Sequence, residues 1–213
     1  MTIAAKICGV NSAQAAEAAV AGGAAFVGFV FFAPSPRNLT PAKAAELARL
    51  IPAPVQNVGV FVDPSDRDLE AVLSVVTLEM IQLHGSQTTA RIQEIRRNTG
   101  LMVMKAIQVA EARDLEKALE FQEVADWLLF DAKPPKTMAS ALPGGNALAF
   151  DWTLLKGRNF LRPWMLSGGL TPENVVQAAG AAGADMVDVS SGVEVTPGVK
   201  SPDKILAFLA AIQ

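Results

Sequence analysis

The sequence predicts an α/β protein, a (β/α)8 TIM barrel with residues 1–213 forming a single domain. Three observations carry that prediction. Short, continuously apolar runs alternate with Ala-rich or amphipathic segments, the pattern of parallel strands buried on both faces and linked by crossover helices. The length of 213 residues suits one such barrel, which commonly takes about 200 to 250. Two glycine-marked turns, Ser167-Gly168-Gly169 and Ser190-Ser191-Gly192, follow the last two apolar runs, where a barrel of this class holds phosphate.

The elements follow in order. Ile3 to Cys8 reads as the first strand, with Asn11-Ser12 capping an Ala-rich helix to about Ala21. Phe26 to Phe32 is the second strand, opening into Ala33-Pro34-Ser35-Pro36-Arg37-Asn38, and Thr40-Pro41 starts a helix to about Leu50. Val55 to Val62, Glu79 to Gly85, Leu101 to Ala106 and Trp127 to Asp131 continue the strands. Helices are expected from about Ser65, from about Thr88 and around Ala112 to Glu120. Ala132 to Phe150, rich in Pro, Gly and Ala, is too long for an ordinary connection and reads as a functional loop. Phe150 to Leu155 is a short helix candidate, Thr171-Pro172 starts another helix, and Pro202 to Ile212 closes the chain as an amphipathic helix. A doubly wound open sheet competes, but no early dinucleotide-type glycine fingerprint follows the first strand.

Composition narrows the function classes. With 51% hydrophobic and 18% charged residues the chain is neither disordered nor low in core-forming side chains. A net charge of -3 without a Lys/Arg cluster points away from nucleic acid, so an anionic ligand must be held by placed amides and single cations. One cysteine and one histidine give neither an internal disulfide nor the usual soft-ligand metal cluster, and the compartment expected is reducing cytosol. No basic-then-apolar leader is expected before the first strand, and the apolar runs read as too short and too interrupted to span a bilayer.

Barrel chemistry sits at the C-terminal ends of strands. Cys8 and Asp131, from strands one and six, are the acid–base candidates there. Cys8 is either an inert core thiol or a base whose thiolate is favoured by Lys6, two residues earlier on the same strand face. Asp131 is either a structural carboxylate, paired with Lys133 or capping the loop, or a general acid desolvated by Trp127 to Phe130. Arg37, stiffened by two prolines, reads as a planar fork for a carboxylate, with a plain surface arginine as the alternative. His84 lines the pocket or bonds within its loop, and Asp63 equally caps the helix near Pro64. Gly168, Gly169, Ser190, Ser191 and Gly192 present backbone amides to a phosphate, with simple turns as the alternative.

These motifs together resemble the phosphoribosylanthranilate isomerase family almost end to end. The resemblance rests on Lys6-Ile7-Cys8-Gly9, Ser35-Pro36-Arg37, Gln82-Leu83-His84-Gly85, Asp131-Ala132-Lys133 and Gly144-Gly145 before Phe150-Asp151-Trp152. Ser167-Gly168-Gly169-Leu170 and Asp188-Val189-Ser190-Ser191-Gly192-Val193-Glu194 complete it. It implies a cofactor-free barrel performing an Amadori rearrangement, in which N-(5-phosphoribosyl)anthranilate becomes 1-(2-carboxyphenylamino)-1-deoxyribulose 5-phosphate in tryptophan biosynthesis. Cys8 and Asp131 then fall on the catalytic base and acid, Arg37 on the contact for the anthranilate carboxylate, and the glycine turns on the phosphate. The partner implied is a small molecule carrying phosphate and carboxylate, handled by a cytoplasmic monomer or homodimer. A related isomerase of histidine synthesis uses two aspartates, which Cys8 argues against; a barrel that only binds a phosphorylated metabolite is the non-catalytic alternative. Pro134 to Asn146 departs from the family pattern.

Overall fold

The structure, a computed structural model, describes residues 3–135, 142 and 144–213. Eight parallel strands close into a barrel in chain order: β1 (Ala4–Cys8), β2 (Phe26–Phe31), β3 (Gln56–Val62), β4 (Met80–His84), β5 (Met102–Val109), β6 (Trp127–Ala132), β7 (Trp164–Leu166) and β8 (Met186–Val189). Closure joins the two ends of the chain, with Ala4 opposite Met186 and Ile7 opposite Val189. Alternation along each strand divides the side chains between two cores. Ile7, Val27, Phe29, Ile81 and Leu83 point outward into the layer shared with the helices. Phe26, Val58, Met80, Met104, Leu129 and Met165 fill the barrel floor, while Cys8, Val30 and Val60 pack nearer the mouth. Ala5 and Ile7 face out, so Lys6 and Cys8 face in.

Helices α1 (Ala13–Ala21), α2 (Pro41–Ala48), α3 (Asp66–Leu73) and α4 (Thr89–Thr99) follow the first four strands. Ser12, Thr40, Ser65 and Thr88 each accept a hydrogen bond from a first-turn amide, the N-caps that their side chains favour. Gly100, at φ 68°, ends α4 in the left-handed region. β5 runs three residues past the expected Ala106, and a 3-10 turn at Ala112–Leu115 precedes the short α5 (Glu116–Phe121). Among the described residues the sixth crossover has no α-helix, only a 3-10 turn at Trp152–Leu155 where a short helix was expected. Part of the loop before it, residues 136–141 and 143, lies outside the described residues. α6 (Val175–Ala182) begins four residues after Thr171, because Asn174 accepts from the Thr171 amide and holds residues 171–174 as a turn. After β8 come a 3-10 turn (Ser191–Val193), an unanticipated hairpin of β9 (Glu194–Thr196) with β10 (Val199–Lys200), and α7 (Pro202–Ala211). Among the described residues no helix is long and apolar enough to cross a membrane.

Candidate active site

Cys8 and Asp131 line one cavity at the C-terminal mouth, 7% and 6% exposed. β7 and β8 separate their strands on the shorter way round the barrel, and polar groups on those two strands connect them. Lys6 Nζ on β1 donates to Asp188 Oδ1 on β8 at 2.8 Å, and Ser167 Oγ, just past β7, donates to Asp188 Oδ2 at 3.2 Å. Ser167 also lies within hydrogen-bonding contact of Asp131. A hydroxyl has one proton to give, so with Asp188 receiving it the second contact suits a protonated Asp131 as donor. Gly28 makes this layer possible: a Cβ there would stand 3.1 Å from Lys6 Nζ and 3.2 Å from Cys8 Sγ.

The electrostatics differ from the sequence expectation at one point. Lys6 was expected to favour the thiolate, yet the Cys8 thiol is pushed up. Burial is the largest cause and Asp188 adds to it, against the opposing pull of Lys6 and Lys200. Lys6 itself is raised: burial alone would lower it, but Asp188 and Cys8 outweigh that. Asp131 is shifted in the direction expected from desolvation. Burial, reinforced by Asp188, pushes its carboxyl up to about 7 against the Ala132 amide and Lys6. Alternation leaves only Trp127 and Leu129 of the expected apolar wall on its face. The pairing with Lys133 does not form, since Lys133 pairs with Asp114 at 2.7 Å, while Asp131 Oδ1 accepts from the Ala132 amide at 2.9 Å where the loop begins.

The two glycine turns meet. A Cβ on Gly192 would collide with the Leu170 carbonyl oxygen, so the turns touch backbone to backbone. Among the described residues the amides of Gly169, Ser191 and Gly192 donate to no protein acceptor, and both turns line the cavity. Ser191 and Gly192 open a 3-10 turn, the short extra helix of barrel phosphate sites, whereas α6 starts too late to present its first amides directly beside Gly169. Gly168 and Gly169, at φ 90° and 69°, need the left-handed region. Side-chain space at Gly169 is closed by Ala149, at 2.7 Å from a Cβ.

Arg37 is no surface arginine, being 4% exposed. Its fork is also not vacant: Nε and Nη2 donate to Glu194 at 2.7 and 2.9 Å, which leaves the Nη1 side for any ligand carboxylate. Gly144 and Gly145 pack directly on the functional side chains. A Cβ on Gly144 would lie 2.9 Å from both Asp131 Oδ2 and His84 Cε1, and one on Gly145 would lie 2.6 Å from Arg37 Nη1. His84 lines the cavity, with Nε2 2.8 Å from Gln82 Nε2, so the ring accepts there if the Gln82 amide donates. Asp63 does not cap α3, where Ser65 and Asp68 form a capping box; its carboxylate takes the Ser86 amide and Gln87 Nε2, both at 2.8 Å. Asp188, Glu194 and Lys200 were not singled out from the sequence. A carboxylate in the apolar run Met186-Val187-Asp188-Val189 is the signal that marks the first.

A buried thiol, a carboxyl held near neutrality and amide donors around one cavity define an acid–base barrel enzyme for a small anionic substrate. Known proteins give the family. Residues 5–211 match the family described as N-(5'phosphoribosyl)anthranilate (PRA) isomerase. The N-(5'-phosphoribosyl)anthranilate isomerase of Paracoccus denitrificans is 56% identical over 210 residues, 99% of this chain and 97% of that one. The crystal structure of phosphoribosyl anthranilate isomerase from Thermotoga maritima superposes with a TM-score of 0.87 at 37% identity, covering 99% of this chain and 98% of that one. A phosphoribosyl anthranilate isomerase solved with reduced 1-(o-carboxyphenylamino)-1-deoxyribulose 5-phosphate gives 0.84 at 36%, with coverages of 99% and 98%. The chain belongs to the phosphoribosylanthranilate isomerase family.

Proposed function

We propose that this chain, as one barrel domain, converts N-(5-phosphoribosyl)anthranilate to 1-(2-carboxyphenylamino)-1-deoxyribulose 5-phosphate in cytoplasmic tryptophan biosynthesis, as a monomer or homodimer. Asp131 gives its proton to the furanose ring oxygen, opening the sugar to a Schiff base. The Cys8 thiolate removes the C2′ proton, leaving an enolamine that ketonises to the product. The amides of Gly169, Ser191 and Gly192 hold the 5-phosphate, with Gly168 and Ser190 shaping the turns. The Nη1 side of Arg37 receives the anthranilate carboxylate, and His84 lines the pocket. Only proton transfers are needed.

The observation that carries this reading is the Asp131 carboxyl, held at about 7 in the same cavity as Cys8. The test is a cofactor-free assay with freshly made substrate, following both ligand fluorescence and product by chromatography. Turnover that disappears in Asp131→Asn and falls at least about 10²-fold in Cys8→Ser supports the assignment. A fluorescence change without product would make the protein a binder, and wild-type rates in either variant would move the acid or base elsewhere.

A further inference from the structure

Arg37 enters the cavity wall already paired. Its partner Glu194 is 6% exposed and takes two guanidinium hydrogen bonds, so water screens the pair poorly. An Arg–Glu pair in that geometry is neutral overall, and an incoming carboxylate would feel attraction from Nη1 offset by repulsion from Glu194. A second cation alters the sum. Lys200 on β10 donates to the same Glu194 Oε1 at 2.7 Å, and to Ser190 O and Oγ at 2.8 and 3.2 Å. Those three acceptors match its three ammonium protons. Burial lowers Lys200 to about 8, with Glu194 working against the fall, so it remains charged at neutral pH. It stands behind the cavity wall, which Arg37 and Ser190 line. The hairpin keeps Glu194 in place, with the Gly198 amide donating to Oε2 at 3.1 Å and Asn11 Nδ2 donating to Gly198 O at 2.8 Å.

We propose that Lys200 is a positioning residue that determines specificity: by sharing Glu194 with Arg37 it leaves the triad one net positive charge, which lets Arg37 select a carboxylate-bearing substrate. The inference rests on the carboxylate role given to Arg37 above. Through Ser190 the same ammonium fixes the turn assigned to phosphate, so one buried lysine sets both ends of the ligand.

The test compares two reduced product analogues, one with the 2-carboxyphenyl group and one with plain phenyl, bound to wild type and variants by calorimetry at pH 7. The quantity read is the ratio of their dissociation constants, from which any shared loss of phosphate affinity cancels. Wild type should favour the carboxylate analogue at least about tenfold, Lys200→Met should bring the ratio close to one, and Lys200→Arg should restore it. The double variant Lys200→Met/Glu194→Gln leaves Arg37 unneutralised and should also recover the preference, which a merely structural role for Lys200 would not allow. Lys200→Gln keeps a hydrogen-bond donor toward Glu194 without the charge and should behave as Lys200→Met does, so it remains informative if that variant fails to fold. An unchanged ratio in Lys200→Met, or no preference in the double variant, overturns the proposal. A wild-type ratio near one removes the carboxylate role from Arg37, and this inference with it.

Discussion

Asp131 meets two opposed demands within one side chain. Keeping a carboxyl protonated near neutrality requires burial, and burial makes its ionisation costly to the fold. Its folded value, about 7, lies above the unfolded value near 3.9. The native state therefore binds an extra proton between these values, and the stabilisation, complete below about 3.9, is lost as pH rises through 7. Asp131→Asn cannot ionise. We predict that it abolishes turnover and gains roughly 3 kcal/mol in stability relative to wild type between pH 5 and pH 8. Denaturant unfolding at the two pH values checks this, and a difference that does not change with pH would place the carboxyl in a solvated setting. Arg37→Lys loses the fork that grips Glu194, and KM should rise by about tenfold or more with a smaller change in kcat. Steady-state kinetics reads it directly; an unaltered KM would take Arg37 out of substrate binding.

Turns and strands divide the labour, and glycine marks where they touch. Gly144→Ala places a methyl group against Asp131 and His84 at a position whose backbone tolerates alanine, so activity should fall by about 10²-fold with little change in stability. A variant with normal kcat would show that the loop yields. Gly192→Ala forces the two glycine turns apart at Leu170, and we predict that inorganic phosphate raises the melting temperature of wild type but not of this variant. Equal protection in both proteins would mean that the turns bind no anion. The strands are legible in the sequence because both faces are buried, and the caps because Ser12, Thr40, Ser65 and Thr88 act within their own turn. Cys8, Asp131 and Arg37 are legible as strand-end polar groups. Glu194 and Lys200 are not: Pro197-Gly198 marks the turn between them, but nothing local shows that Glu194 meets Arg37 across 157 residues. The thiol shift was misjudged for a related reason: Lys6 is visible two residues from Cys8, but Asp188 and the depth of burial are set by closure of the barrel.

Taken as a whole, the barrel holds its acid and base in the reverse of the needed order. The carboxyl lies near 7 and burial pushes the thiol up, so the proposed working pair, thiolate with protonated Asp131, is a minority form of the free protein. We predict a bell-shaped kcat/KM with its acidic limb near 7, from Asp131, and its alkaline limb from the raised Cys8 thiol. In Cys8→Asp the new base titrates below Asp131, and the plateau should move to the acid side of 7. Profiles measured for both proteins decide it, and an acidic limb that stays in place would detach Cys8 from proton transfer. The same closure also orders events in time. Lys6 emerges before its counter-charge Asp188, which follows 182 residues later. At about 5 to 20 residues per second that is a wait of roughly 10 to 40 seconds. During it β1 carries an unbalanced ammonium, and neither the Arg37–Glu194 pair nor the second glycine turn exists. A nascent chain therefore lacks the complete cavity wall until β8 and the hairpin arrive.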